Sequence, residues 1–196
     1  VTGFRRVLFR SDPKTGLAYF GTGTPAPWNS HLRQGDNLFS CSTVAIDVKT
    51  GKIVWHYQGT PNDGWDFDGV NEFVTYDEGG KRLGGKADRN GFFYVLDANT
   101  GKQAWRRYTI PAPGEPGSET WSDKLIDWGG ADTWLSGTYD PDLNLIHWTT
   151  GNPWPDFYGG DRKGANLFAC SLIAVDPDTG KLKWYFQFTP HDTHDW

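Results

Sequence analysis

The chain has 196 residues, with 19 Lys+Arg against 24 Asp+Glu and a net charge of −5, so it is one ordinary domain or part of a larger one and carries no electrostatic footprint for nucleic acid. Gly 25 and Pro 12 stay below low-complexity levels while aromatics reach 16%, including 11 Trp whose rings need burial, and this excludes disorder as the main state. Mean hydropathy is −0.62, and no apolar run approaches the roughly 20 residues of a bilayer span.

Residues 1–10 contain neither an apolar core of signal-peptide length nor a small-residue cleavage site, so they predict no address for the chain. Asp12-Pro and Asp140-Pro read as turn formers. Cys41 and Cys170 each lie in an apolar run, Leu-Phe-Ser-Cys-Ser-Thr-Val-Ala and Leu-Phe-Ala-Cys-Ser-Leu-Ile-Ala, which predicts buried strands carrying free thiols. A short signature, Asp-x-x-Thr-Gly-Lys-x-x-Trp, begins at Asp47, Asp97 and Asp176 and ends at Trp55, Trp105 and Trp184. An apolar run precedes each copy, so each predicts a β-hairpin: the Asp carboxylate accepts turn N–H groups, the Gly supplies a positive φ, and the Lys stays in water. The three tryptophans are expected to be core. On the last outgoing strand, period 2 puts Leu182, Trp184, Phe186 and Phe188 on one packed face, with Lys183, Tyr185 and Gln187 on the other. The connection Pro111-Ala-Pro-Gly-Glu-Pro-Gly117 can be neither helix nor central strand.

A longer repeat organises the whole chain. The stretch from Ser11-Asp-Pro to Thr24-Pro-Ala-Pro-Trp matches Tyr139-Asp-Pro to Asn152-Pro-Trp-Pro, Asn37-Leu-Phe-Ser-Cys-Ser matches Asn166-Leu-Phe-Ala-Cys-Ser, and Thr60-Pro-Asn-Asp-Gly-Trp-Asp66 matches Thr189-Pro-His-Asp-Thr-His-Asp195. The expected division is a non-family segment over 1–10, a first copy over 11–110 and a truncated second copy over 111–196. No segment holds a 3.6-residue period. Short strands with frequent turns predict an all-β fold, a partial β-propeller of four-stranded blades amounting to three or four blade-equivalents, with a β-sandwich as the alternative.

The Ala-x-Asp-x-x-Thr-Gly-x-x-x-Trp runs from Ala45 to Trp55 and from Ala174 to Trp184 resemble the tryptophan-docking motif of quinoprotein methanol/ethanol dehydrogenases, which use pyrroloquinoline quinone (PQQ). Thr133-Trp134, Thr150-Gly-Asn152-Pro, Arg162-x-Gly-x-Asn166-Leu and Phe188-Thr-Pro-His-Asp-x-x-Asp195 resemble that family's active-site segment in order and spacing. The resemblance implies part of an eight-bladed propeller from a periplasmic enzyme that oxidises primary alcohols to aldehydes. Its cofactors would be PQQ with Ca2+ or a lanthanide, and its electron acceptor a cytochrome c-type protein.

By the same resemblance, Trp134 is the floor under the quinone and Arg89 the cation that hydrogen-bonds the quinone oxygens. Asn152 is a metal ligand, Asp66 and Asp195 both occupy the position of the catalytic carboxylate and metal ligand, and Asp68 is the additional carboxylate of lanthanide-using members. In the first copy, Thr24 stands at the amide position and Arg6 at the floor position, so neither copy is a complete site. The segment that ends the family's order, Asp66 to Arg89, here precedes the floor tryptophan. The alternative function is a non-catalytic propeller of the same superfamily acting as a scaffold, against which the ligand amide and the His-Asp-x-x-Asp segment argue.

Overall fold

The computed structural model describes residues 9–122 and 130–196; Arg6 lies outside them. Twelve strands form three four-stranded antiparallel sheets. The first blade is β1 (Phe9–Asp12), β2 (Leu17–Gly21), β3 (Ser42–Asp47) and β4 (Ile53–Gln58). The second is β5 (Val74–Glu78), β6 (Lys81–Ala87), β7 (Phe92–Asp97) and β8 (Gln103–Tyr108). The third is β9 (Thr138–Asp140), β10 (Leu145–Thr149), β11 (Ser171–Val175) and β12 (Leu182–Gln187). Each is an up-and-down meander in chain order, and the described residues contain no α-helix, only 3-10 turns at Ser30–Leu32 and Ser118–Thr120.

The blades pack face to face, and β7 shows how. Its alternate residues belong to different cores: Tyr94 and Leu96 pack with Leu17, Tyr19, Ala45 and Trp55 of the first blade, whereas Phe93 and Val95 pack with Ile146, Trp148, Ile173 and Val175 of the third. A strand that is apolar on both faces is thus the middle layer of a three-layer stack. Full burial of each such side chain contributes on the order of 1.5–3 kcal/mol. On β6, Gly84 admits the ring of Phe73, which a Cβ there would meet at 2.1 Å.

The three predicted hairpins form with the predicted chemistry. Asp47 Oδ1 accepts from the Lys49 amide at 2.9 Å, the Thr50 amide at 2.7 Å and the Thr50 hydroxyl at 2.9 Å, and Asp97 and Asp176 repeat the pattern. The hydrogen bonds from Thr50 hold the Asp47 carboxyl below the usual carboxylate range. Gly51, Gly101 and Gly180 take φ of 69°, 71° and 67°. The turns at Gly101 and Gly180 are docking sites for the preceding blade. Trp55 donates its indole N–H to the Ala98 carbonyl at 3.1 Å and lies over Gly101, where a Cβ would come within 2.5 Å of the ring. Trp105 likewise donates to the Pro177 carbonyl at 2.8 Å and covers Gly180, where a Cβ would lie 2.8 Å from the indole.

Two cations of β6, Arg82 and Lys86, reinforce the first seam. Arg82 Nε meets the buried Asp12 carboxylate at 2.7 Å, so Asp12 does more than form its turn. Lys86, 2% exposed, pairs with Asp88 at 3.1 Å and donates to the Thr43 hydroxyl at 2.9 Å and to the Gly69 carbonyl. Burial pushes the Asp88 carboxyl upward, against the pull of Lys86.

Three expectations need correction. The register of β11 with β12 shifts between Ala174 and Val175, so Leu182 lies opposite Val175 and Trp184 opposite Ala174. The bulge changes the parity: Leu182 joins the seam with the second blade, and Trp184 and Phe186 take the other face. On that face Trp184 is 41% exposed and touches only the His147 ring of its own sheet among the described residues, whereas Trp55 is 7% exposed. Cys41 and Cys170 are free and buried as expected, but they occupy left-handed turn positions, φ 47° and 48°, immediately before β3 and β11. Burial pushes both thiols up to about 12.

Lys86→Ala is expected to cost about 3–5 kcal/mol in urea unfolding, because it leaves Asp88 buried without its counter-charge. Gly101→Ala should cost about 1–2 kcal/mol for the left-handed backbone and about 1–3 kcal/mol more for displacing Trp55.

Candidate active site

The site is built on the loops that leave the first two blades. In the β4–β5 loop, the buried Asp63 accepts the amides of Trp65 at 3.0 Å and Phe67 at 3.3 Å, and Arg33 donates to its carbonyl. These bonds hold Asp66 at φ 65°. Turn capping therefore belongs to Asp63, and the Asp66 carboxylate is free to point elsewhere. The rings of Trp65 and Phe67 stack with centroids 6.3 Å apart. Asp66 and Asp68 both reach Arg89, although the segment is a turn at Asp66 rather than extended. Asp68 Oδ2 lies 2.9 Å from Arg89 Nη1, Asp66 Oδ2 lies 3.4 Å from Arg89 Nη2, and Asp68 Oδ1 accepts the Thr24 amide at 2.9 Å.

Arg89 sits in the tight turn between β6 and β7, and its guanidinium carbon lies 3.9 Å from the centroid of the Trp134 ring. The structure thus brings together Asp66, Asp68 and Arg89 of the first copy with Trp134 of the second. The Trp134 loop is clamped in place. Thr133 donates to the Asp88 carbonyl at 2.6 Å, its own carbonyl accepts from the Asn71 amide group at 3.0 Å, and the Ser136 hydroxyl donates to Glu72. A cavity of about 300 Å³ opens beside Asp68, Arg89 and Trp134. Arg89 Nε is a buried donor with no hydrogen-bond acceptor among the described residues.

Asn152 and Asp195 are not in this constellation. The Asn152 amide donates to Asp156 at 2.7 Å, and no hydrogen bond or ion pair among the described residues joins Asn152 or Asp195 to Asp66 or Asp68. Asp195 takes φ 62° in a turn capped by Asp192, which accepts the amides of His194 and Trp196 at 3.0 Å each. That turn duplicates the arrangement of Asp66 with Asp63. Among the described residues, no group of three or more His, Cys, Asp or Glu side chains could hold a metal ion.

The capping role of Asp63 and Asp192 was missed from sequence, though the repeated Asp-x-x-Asp spacing carries it. Asp132 was also missed. It lines a second cavity of about 310 Å³ with Trp65, Phe67, Tyr108 and Trp154. Burial pushes its carboxyl up to about 6, with Arg89 lowering it and Asp156 raising it.

Blades locked by tryptophan on Asp-x-x-Thr-Gly turns, with an acid pair, an arginine and an indole on their connecting loops, define a β-propeller of the quinoprotein class. The sequence profile of the PQQ-dependent glucose/ethanol/alcohol dehydrogenase β-propeller domain matches residues 7–105 and again 81–196, and the chain belongs to that family. The quinoprotein alcohol dehydrogenase PedH of Pseudomonas putida is 39% identical over 88% of the chain and 36% of its own length. The dehydrogenase subunit of the quinone-type alcohol dehydrogenase of Gluconobacter oxydans is 33% identical over 97% of the chain and 29% of its own length. A europium-containing methanol dehydrogenase superposes with a TM-score of 0.70 at 27% identity, covering 93% of this chain and 39% of that one. The chain therefore spans about a third of the length of these relatives.

The raised Asp132 carboxyl sets a pH dependence. Its folded-state value of about 6 lies above the unfolded value of about 4, so the stability it contributes is fully present below pH 4 and lost as pH rises through 6. Wild type should lose about 2 kcal/mol relative to Asp132→Asn between pH 4 and pH 7, read from urea midpoints at each pH.

Proposed function

We propose that the protein works in PQQ-dependent oxidation of primary alcohols to aldehydes, and that the Asp66, Asp68, Arg89 and Trp134 cluster is its quinone-facing half-site. The observation that carries this reading is the buried Arg89 Nε, a donor without an acceptor beside a half-exposed indole and an open cavity. A planar tricyclic quinone suits such a place, since its quinone oxygens accept from a guanidinium and its face gains contact with a large aromatic. When bound, PQQ supplies the electrophilic carbon that takes hydride from the alcohol.

The protein's own groups then have separate tasks. Arg89 donates to the quinone and compensates negative charge that develops on it. Trp134 supports the ring, and the clamp from Thr133, Asn71 and Ser136 keeps the indole from swinging away. Asp66 accepts the proton of the alcohol hydroxyl on its carboxylate oxygen, and Asp68, held by the Thr24 amide, fixes Arg89 in register. The metal set does not fit in the same way. Asn152 and Asp195 stand apart from Asp66 and Asp68, so a Ca2+ or lanthanide sphere is not assembled from these four residues, and no step here depends on one. A periplasmic location and a cytochrome c-type acceptor belong to the same proposal by family likeness.

The test uses the purified chain with PQQ. Equilibrium dialysis should detect binding that weakens at least tenfold in Arg89→Ala and in Trp134→Ala, while dye-linked oxidation of ethanol, with PQQ and either Ca2+ or La3+, stays at background. Loss of the scattered ligand positions removes positioning and charge stabilisation together. Binding that neither variant alters would refute the half-site. Metal-dependent turnover by the chain alone would refute the split between the two copies. No PQQ binding at all would favour the scaffold reading.

A further inference from the structure

The cavity beside Asp132 is walled by loops that converge over the second blade, inside the stack rather than on its outer faces. Trp65 and Phe67 come from the β4–β5 loop, Asn90 from the β6–β7 turn, Tyr108 from the end of β8, Asp132 from the segment before β9 and Trp154 from the loop after β10. Its volume of about 310 Å³ suits a small molecule. The rings of Trp65 and Phe67 lie within 17° of parallel, so they make one continuous aromatic wall.

The polar groups around the cavity favour a cation over an anion. Asn90 commits its amide hydrogens to the Gly59 carbonyl and to the Thr60 and Tyr94 hydroxyls at 3.3, 3.1 and 2.7 Å, while its oxygen accepts the Phe92 amide at 3.2 Å. It has no donor left for a ligand. Arg89 pairs with Asp66 and Asp68 and lines the other cavity. The Asp132 carboxyl, by contrast, makes no hydrogen bond or ion pair among the described residues; Arg89 and Asp156 act on it only through space. Its backbone is fixed, because the Asp132 carbonyl accepts the Gly151 amide at 2.7 Å and the Ala131 amide donates to the Asn152 carbonyl at 2.7 Å. Four carboxylates, those of Asp66, Asp68, Asp132 and Asp156, thus surround one guanidinium.

We infer that this cavity binds an organic ammonium ion, with its N-alkyl groups against Trp65, Phe67, Tyr108 and Trp154 and its charge balanced by Asp132. Aromatic faces attract a cation through their ring quadrupole, indole most strongly, and the attraction grows where water is excluded. An adjacent positive charge also favours the ionised carboxylate that burial disfavours, so ligand and Asp132 stabilise each other. The site is separate from the quinone-facing one, which Asp68, Arg89 and Trp134 line. The inference does not depend on the quinone reading.

The test is calorimetric titration of the purified chain with choline, whose charge is independent of pH, and with neohexyl alcohol, its uncharged carbon isostere. At pH 7 choline should bind at least tenfold more tightly than the alcohol. Asp132 titrates near 6, so choline binding should weaken about tenfold between pH 7 and pH 5, as the carboxylate takes up a proton. Both comparisons use wild type alone and stand whether or not a variant folds. Asp132→Asn keeps the shape and removes the charge; it should bind choline at least tenfold more weakly and lose the pH dependence. Trp154→Ala should weaken choline binding several-fold, with urea unfolding to confirm that both variants are folded.

Equal affinity for the two ligands would reduce the cavity to an apolar pocket and overturn the inference. Choline binding that Asp132→Asn leaves unaltered would place the ion elsewhere. The absence of saturable binding at millimolar choline would leave the aromatic walls as packing surfaces, and overturn it equally.

Discussion

The contact between an indole and the turn of the neighbouring blade governs this structure. A four-stranded antiparallel sheet of short strands is marginal alone, and both of its faces need cover. The docked tryptophan supplies area, one directed hydrogen bond and a fixed register at once, because its N–H has a single carbonyl to find and its ring fits only over a residue without a Cβ. Trp55 on Gly101 and Trp105 on Gly180 show both conditions met. The apolar seams then follow from the sheet faces that docking brings together, and β7 becomes the layer shared by two cores.

The site inherits its geometry from those seams. Asp66, Asp68 and Arg89 leave the first and second blades, whereas Trp134 enters from the chain that leads to the third. They meet because the second blade is held at a defined offset from both neighbours, and because Thr133 and Asn71 tie the loop to the C-terminal end of β6. The Lys86–Asp88 pair lies directly beneath the turn that carries Arg89. A buried charge pair is a costly way to add stability, but it leaves few alternative packings for the turn above it.

Much of this was legible in the residues. The Asp-x-x-Thr-Gly hairpins could be read to the individual hydrogen bond, because turn chemistry is local and the side chain that satisfies the turn lies within it. The propeller class followed from the repeat of that signature, and the acid pair with Arg89 from the family resemblance. The meeting of Arg89 with Trp134 was not legible, since it joins residues of different copies through tertiary packing. Nor was the face taken by Trp184. Period-2 counting assumes an unbroken ladder, and one extra residue, Lys183 opposite the Ala174–Val175 step, inverts the count. The same shift occurs at Val54 and Ala104, and in the second blade it turns Gln103 toward the first and Trp105 toward the third. Sorting Asp63 from Asp66 also required the backbone, because both acids suit a turn and only the hydrogen bonds show which one caps it.

The direction of docking bears on how such a chain is made. Trp55 reaches a carbonyl 43 residues further along, and Trp105 one 72 residues further along. Each indole therefore leaves the ribosome before its seat exists, and at synthesis rates of about 5–20 residues per second it waits some 2–14 seconds. Nascent blades consequently pass through an interval in which a bare tryptophan and an unfinished sheet edge face solvent together. The growing polypeptide is always one blade behind its own closure, which makes the rate of elongation, and the proximity of other nascent chains, part of the physics that decides which turn each tryptophan finds.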